Sequence, residues 1–491
     1  MKHILAIDQG TSSSRAILFT EDGDIVSTYQ QDVKLTYPQD GWVEQSPREM
    51  VDNTIWAVKS IIDEDAERAK TIAAIGITNQ RETTIVWNRE TGEPIYDAIV
   101  WQDRRTSEYC DDLRRDGVED MVRAKTGLLL DPYFSATKVK WILDHVDGAQ
   151  KSAENGDLLF GSVDTYLLWS LTKGAVHATD VSNASRTMIY NINEMKWDDD
   201  LLKLFNIPPS MLPEVRGNIS DFGQLCVDQF GASLCVGGMA GDQQSAMIGQ
   251  GCIAPGMVKS TYGTGCFLLM NMGGDAKLST HKLLTTIANK VDGKVSYALE
   301  GAIFNAGTAI QFLRDNLGLF DKASETEGMA QSLTDNGGVY FVPAFTGLGA
   351  PYWNPAARGV ICGLTRDTSK AHIVRAALEA QAFQTRDLIE SMEKDSGYAI
   401  KVLRIDGGLV VNGFMCQFLA DMIGVSVEVP RIVESTAWGA ACLAGVQAGV
   451  FSSLEDSASR WQCAKRYEPM AKKEDMDALY SKWKKAVLKT Y

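Results

Sequence analysis

The chain has 491 residues, 45% hydrophobic and 23% charged, the balance of a packed globular protein with room for two large domains or roughly three ordinary ones. Lysine and arginine number 48 against 63 aspartates and glutamates, and the net charge of −15 argues against a nucleic-acid partner or an anionic membrane surface. Nine cysteines without a CxxC pair and five histidines without an HExxH leave no common zinc or thioredoxin-type motif, so reduced, mostly buried thiols in a cytoplasmic protein are expected.

His3 to Asp8 reads as a buried strand and Ala16 to Thr20 as a second, joined by the polar turn Gln9 to Arg15. The apolar run at the start of the chain is too short for a signal peptide. Glu21 to Asp24 turns into a third strand near Ile25 to Val33. Three strands joined by hairpins before any helix predict an antiparallel opening rather than a βαβ unit. Ser46-Pro47-Arg48-Glu49 predicts a helix start with a capping box. The helix is expected to run to about Ala69, with Val51, Ile55, Val58 and Ile62 on its apolar face. Ile72 to Thr78 is a predicted strand ending in the polar loop Asn79 to Thr83.

The second half restarts this pattern. Met257 to Tyr262 and Phe267 to Met270 are predicted strands around the turn Gly263-Thr264-Gly265, and Lys401 to Ile405 leads into Asp406-Gly407-Gly408. Both halves place a Gly-Thr turn between short strands, which suggests a duplication with its boundary near residues 249–257. The uncharged tract from Ser435 to Leu454 is diluted by Gly439, Gly445 and Gly449, and reads as a close-packed buried helix rather than a membrane span.

Three of these loops carry phosphate chemistry. Asp8-Gln9-Gly10-Thr11-Ser12-Ser13-Ser14-Arg15 offers a carboxylate at a strand end, then hydroxyls on a glycine turn, then a cation. Such a turn cradles a metal-bound phosphate, with Asp8 holding Mg2+ through its waters, although a plain polar hairpin has the same composition. Gly263-Thr264-Gly265 is a second candidate, and Asp406-Gly407-Gly408 with Asn412 a third, its glycines admitting a flat base or ribose. Together they point to a nucleotide held between two lobes. GxxxxGK[ST], a GxGxxG after a strand and GxSxG are all absent, and Asp221-Phe222-Gly223 stands without HRD or VAIK.

Two longer segments, Tyr133 to His145 and Gly359 to Glu379, fit the two signatures of the FGGY carbohydrate kinases, and the chain resembles that family over nearly its whole length. Gly41-Trp42-Val43-Glu44, Asn79 to Thr83, Trp101 to Arg105 and Gly241-Asp242-Gln243-Gln244 are similar to the members that act on glycerol. The resemblance implies an α/β fold of two ribonuclease-H-like (actin-like ATPase) domains with a nucleotide cleft between them. Residues 1–250 would carry the polyol site and phosphate loop, and residues 251–491 the nucleotide site. It implies ATP-dependent phosphorylation of glycerol to sn-glycerol 3-phosphate with Mg2+, by a cytoplasmic homo-oligomer (dimer or tetramer) that neither binds nucleic acid nor inserts into membranes. The alternative is a kinase for another acceptor such as xylulose or gluconate.

By the same resemblance, Arg81, Glu82, Tyr133, Asp242 and Gln243 would hold glycerol, with Trp101 and Phe267 against its carbon edge. Thr11, Ser12, Ser13, Arg15 and Thr264 would contact the ATP phosphates, and Gly307, Gln311, Gly408 and Asn412 would complete the nucleotide site. Asp8 would bind Mg2+ through water, and Asp242 would be the general base. Residue chemistry agrees, since Arg81 beside Glu82 offers a donor fork and an acceptor to neighbouring hydroxyls, and aromatic faces suit C–H groups. An adjacent Arg-Glu pair is otherwise most often a surface salt bridge, and a tryptophan part of a core. Some family members are inhibited by fructose 1,6-bisphosphate, or activated by phosphorylation of a histidine, through residues ahead of the Gly-Asp-Gln motif. Gly217 to Val258 contains no Lys, Arg or His, so neither control is expected here.

Overall fold

The computed structural model describes residues 2–231, 233–354 and 356–490; Met1, Ala232, Pro355 and Tyr491, which fall within the expected domains, lie outside the described residues. The apolar runs at the start of the chain become β1 (His3–Gln9) and β2 (Ser13–Thr20), with β3 (Ile25–Asp32) completing an antiparallel meander. Two strands, β4 (Ile72–Asn79) and β5 (Val236–Gly241), add in parallel on the other side of β1, giving the order β5-β4-β1-β2-β3.

The second sheet repeats this plan. Its strands are β6 (Val258–Tyr262), β7 (Cys266–Gly273), β8 (Leu284–Val291), β9 (Lys294–Ile303), β10 (Val402–Asp406), β11 (Ser426–Pro430) and β12 (Cys463–Tyr467), in the order β8-β9-β7-β6-β10-β11-β12. Within it, β9-β7-β6-β10-β11 has the pairing sense of the first sheet: antiparallel on one side of the leading strand, parallel on the other. The Gly10-Thr11 and Gly263-Thr264 turns therefore join equivalent hairpins, as a duplicated ribonuclease-H-like fold requires.

Helix α1 (Pro47–Glu64) departs from expectation in three ways. Ser46 Oγ accepts from the Glu49 amide at 3.3 Å, but the Glu49 carboxylate accepts from the Lys34 amide at 3.4 Å, so only half of the capping box forms. The helix stops at Glu64 because Asp65 is extended, and the Asp65 side chain caps a separate short helix, Ala66–Ala69. Its buried face centres on Met50, Thr54, Ala57, Val58 and Ile61, while Val51, Ile55 and Ile62 flank it half-buried. Burial follows the facing strands, which admit the small Ala57 and Thr54 in mid-face.

Three further helices matter for the site: α2 (Asp242–Gly249), α3 (Gly307–Asp315) and α4 (Ser435–Gln447). The uncharged tract does form a buried helix, and α4 lies against the first sheet although it comes from the second half of the chain. Its Ala437, Trp438 and Ala441 share a core with Ile4, Ala6, Ile17, Phe19 and Ala74. A Cβ at Gly439 would overlap the Ser245 carbonyl of α2, one at Gly249 the Ser435 carbonyl, and one at Gly76 of β4 the Ala440 carbonyl. Small residues thus let two helices and a strand approach backbone to backbone. Among the described residues no helix is long and apolar enough to cross a membrane.

Candidate active site

Parallel pairing collects the chemistry at one edge of the first sheet. Thr78 is level with Asp8 on one side and Ala240 on the other, so β1, β4 and β5 all end beside one another. Past those ends come the Gly10 turn, the Asn79–Thr83 loop and Asp242, the first residue of α2. Strand ends at the opening of such a sheet are where ligands bind in open α/β folds.

The first turn is closed by the Gly10 amide donating to the Ser13 carbonyl at 2.9 Å, which leaves Ser12 exposed and Thr11 and Ser13 half-buried. Arg15 stands directly across from Asp8 and is ion-paired with it, and its other guanidinium nitrogen donates to Glu434 at 2.8 Å, just ahead of α4. Burial raises the Asp8 carboxyl above its usual range, against the pull of Arg15. Thr11 is tied to neighbouring loops: its Oγ1 accepts from Trp101 Nε1 at 2.9 Å and its carbonyl from Gln45 Nε2 at 2.5 Å. Gln45 in turn accepts from Gln80 at 2.8 Å.

On the second sheet, the start of α3 sits on the Gly263-Thr264 turn. The Gly307 amide donates to the Gly263 carbonyl at 2.9 Å and the Ala306 amide to the Thr264 carbonyl at 3.0 Å. A Cβ at Gly307 would lie 2.6 Å from the Gly263 carbonyl, so this contact requires glycine. Thr264 and Gln311 are exposed beside it. Gly407, at φ +94, covers the Tyr262 carbonyl at the same end of the sheet, and Gly408 follows it into solvent. Asn412 is used internally: its Oδ1 accepts from the Met415 amide at 3.0 Å and its Nδ2 donates to Thr326 at 3.1 Å.

The Asn79–Thr83 loop does not carry a surface ion pair. Arg81 and Glu82 are each 2% exposed, and their charged atoms come no closer than 3.9 Å to each other. The Arg81 fork lies on Glu300 of β9, at 2.6 and 3.1 Å, and its Nε faces Asp242 Oδ1 at 3.1 Å. Arg186 donates to Glu82 at 2.6 Å and to Glu300 at 2.9 Å. A chain of alternating charge, Glu82–Arg186–Glu300–Arg81–Asp242, thus joins the two sheets. The donor fork expected to reach a polyol lies on Glu300, and its Nε edge faces the part-exposed Asp242.

Burial sets the electrostatics. It would raise the Glu300 carboxyl, but Arg186 and Arg81 outweigh it and hold the group at about 2. Burial raises Glu82 despite the two arginines. It also raises Asp242 against Arg81 and Lys259, although that side chain is 31% exposed. Lys259 is fully buried and donates to Gln243, and to Thr261 at 3.0 Å. Trp101, Tyr133 and Phe267 form an aromatic corner beside this cluster, the Trp101 ring centroid 5.7 Å from Tyr133 and 6.2 Å from Phe267. Arg186, Glu300 and Lys259 carry no motif; for Glu300 the one signal in the sequence is a charge inside the otherwise apolar Tyr297 to Ile303.

Two ribonuclease-H-like sheets, each with a hydroxyl-bearing glycine turn after its leading strand, define the actin-like ATPase fold. The profile of the N-terminal domain of the FGGY family of carbohydrate kinases matches residues 3–249, and that of its C-terminal domain residues 258–448. The chain belongs to this family. It is 56% identical over 484 residues to a glycerol kinase of Nitrosomonas eutropha, covering 99% of this chain and 97% of that one. A crystal structure of Plasmodium falciparum glycerol kinase with ADP superposes with a TM-score of 0.93 at 38% identity, covering 100% of this chain and 98% of that one. A ligand-bound xylulose kinase of Lactobacillus acidophilus, at 22% identity and a TM-score of 0.88, covers 100% of this chain and 99% of its own and shares the fold.

Proposed function

We propose that the protein transfers the γ-phosphoryl group of ATP to a terminal hydroxyl of glycerol, giving sn-glycerol 3-phosphate and ADP. The observation that carries this reading is the position of Asp242. It is a part-exposed carboxylate just past the end of β5, flanked by the buried Arg81–Glu82 cluster and, across β4, at the same end of the sheet as the turn after β1. Asp242 accepts the proton of the attacking hydroxyl, and Arg81 Nε orients its carboxylate. Glu82, Gln243 and the Tyr133 corner hold the polyol, with Trp101 and Phe267 against its C–H edge. Thr11, Ser12, Ser13 and Thr264 bind the phosphates from the two turns, with Gly307, Gln311 and Gly408 lining the nucleotide side. Arg15 neutralises charge beside Asp8, and Asn412 shapes its loop.

Among the described residues no three metal-binding side chains cluster. A strand-end carboxylate at Asp8 beside turn hydroxyls suits Mg2+, which keeps most of its waters and takes its other ligands from phosphates. When bound, that ion supplies neutralisation of the charge on the transferring group. The nine thiols are all free and mostly withdrawn from solvent, which supports a reducing, cytoplasmic setting.

Purified protein given ATP, Mg2+ and glycerol is expected to form ADP and glycerol 3-phosphate in equal amounts. ADP release without the phosphate ester would defeat the reading. Regulation by fructose 1,6-bisphosphate is expected to be absent, because residues 217–258 offer no cation to offset the desolvation of a bisphosphate. Saturable inhibition in a titration at fixed glycerol and ATP would contradict this.

A further inference from the structure

We propose that Lys138 is a positioning residue for the acceptor site, a single buried ammonium that fixes the two loops bearing Glu82 and Tyr133. The inference rests on the assignment of those two residues to the polyol. Lys138 lies in the helix Ser135–His145 and is fully buried. Its Nζ donates to the Tyr133 carbonyl at 2.6 Å and reaches the Glu82 carbonyl at 3.4 Å, and among the described residues it makes no ion pair. Burial pushes the ammonium down to about 8. Its hydrogen bonds go to carbonyls, while the Glu82, Asp103 and Asp131 carboxylates act on it from beyond ion-pair distance and only partly offset burial, so it is a costly way to fill space that an apolar side chain would fill without penalty. What it secures is the geometry of those two carbonyls.

That geometry is unusual at Glu82. Its φ is +61, in the left-handed region that a non-glycine residue adopts only when its surroundings enforce it. The enforcement is visible: the Glu82 carbonyl accepts from Ser135 Oγ and from Thr84 Oγ1, each at 3.1 Å, as well as facing Lys138. Arg186 fixes the other end of the residue by holding its carboxylate. Tyr133 is fixed similarly, its amide donating to Asp131 at 2.9 Å while its carbonyl is held by Lys138. One side chain therefore sets the spacing between the polyol's acceptor group and its aromatic wall.

Kinetics of the full-length Lys138→Met variant test this. The glycerol KM is expected to rise by about tenfold or more while the ATP KM stays within about twofold, since only the acceptor loops lose their tie. If that variant fails to fold, Ser135→Ala removes another donor from the same carbonyl without stranding a charge, and is expected to raise the glycerol KM by about threefold or more with the ATP KM unmoved. A folded Lys138→Met protein that loses thermal stability but keeps its glycerol KM overturns the inference, as does a parallel rise in both KM values. For Ser135→Ala an unchanged glycerol KM has the same meaning. Failure of the unsubstituted protein to phosphorylate glycerol overturns the functional reading and this inference together, whereas the variant results bear on the inference alone.

Discussion

Asp242→Asn is expected to lower kcat by about 10²–10⁴ while ATP still binds, the range that a positioned general base supplies. The amide keeps the shape at the start of α2 and can still face Arg81, but it cannot take the hydroxyl proton. A pH profile adds an independent readout. Burial raises the Asp242 carboxyl, so in the unsubstituted enzyme kcat falls as pH drops through a value above that of an ordinary aspartate. The asparagine variant loses that acid limb. Turnover close to that of the unsubstituted protein would remove Asp242 from the role of base.

The second large effect concerns stability. Glu300 receives both buried arginines, so Glu300→Gln leaves two guanidinium groups undercompensated in the interior. Breaking a buried pair in this way is expected to cost about 3–5 kcal/mol, read by denaturant unfolding at neutral pH. The pH dependence fixes the sign. The folded-state carboxyl sits at about 2 against an ordinary 4.5, so its stabilising share is full above 4.5 and is lost as pH falls through about 2. The gap between the two proteins should therefore narrow on acidification. A gap that is small at neutral pH, or that widens in acid, would show that the arginines find other partners.

The sequence made local features legible and left distant partners hidden. Short apolar runs around a glycine-bearing polar turn identify β1 and β2 without any tertiary information, and the same signals recur around Thr264. The small-residue tract declares a tightly packed helix, but nothing local says that α4 packs on β4, far away in the chain. The site divides in the same way. Arg81 and Glu82 stand out as neighbours, and their adjacency suggests a pair. The positive φ at Glu82 sends the two side chains to different partners, Arg186 at a separation of 104 residues and Glu300 at 219. Capping shows the limit too, since Glu49 satisfies the Lys34 amide, in the segment after β3 that only the folded chain brings near. Asn412, expected at the nucleotide, spends its hydrogen bonds on a helix start and on Thr326.

The acceptor decides the account. The steady-state kcat/KM of the purified protein should be measured with ATP and Mg2+ for glycerol, xylulose and gluconate, against ADP formation with no acceptor. The buried Arg81–Glu82 cluster and the close aromatic corner suit a three-carbon polyol, so glycerol is expected to exceed both sugars by about two orders of magnitude or more, because a site built around buried polar groups rejects ligands that leave them unpaired. A kcat/KM for xylulose or gluconate equal to or above that for glycerol would contradict the assignment, and ADP formation unaffected by any acceptor would contradict the kinase reading itself.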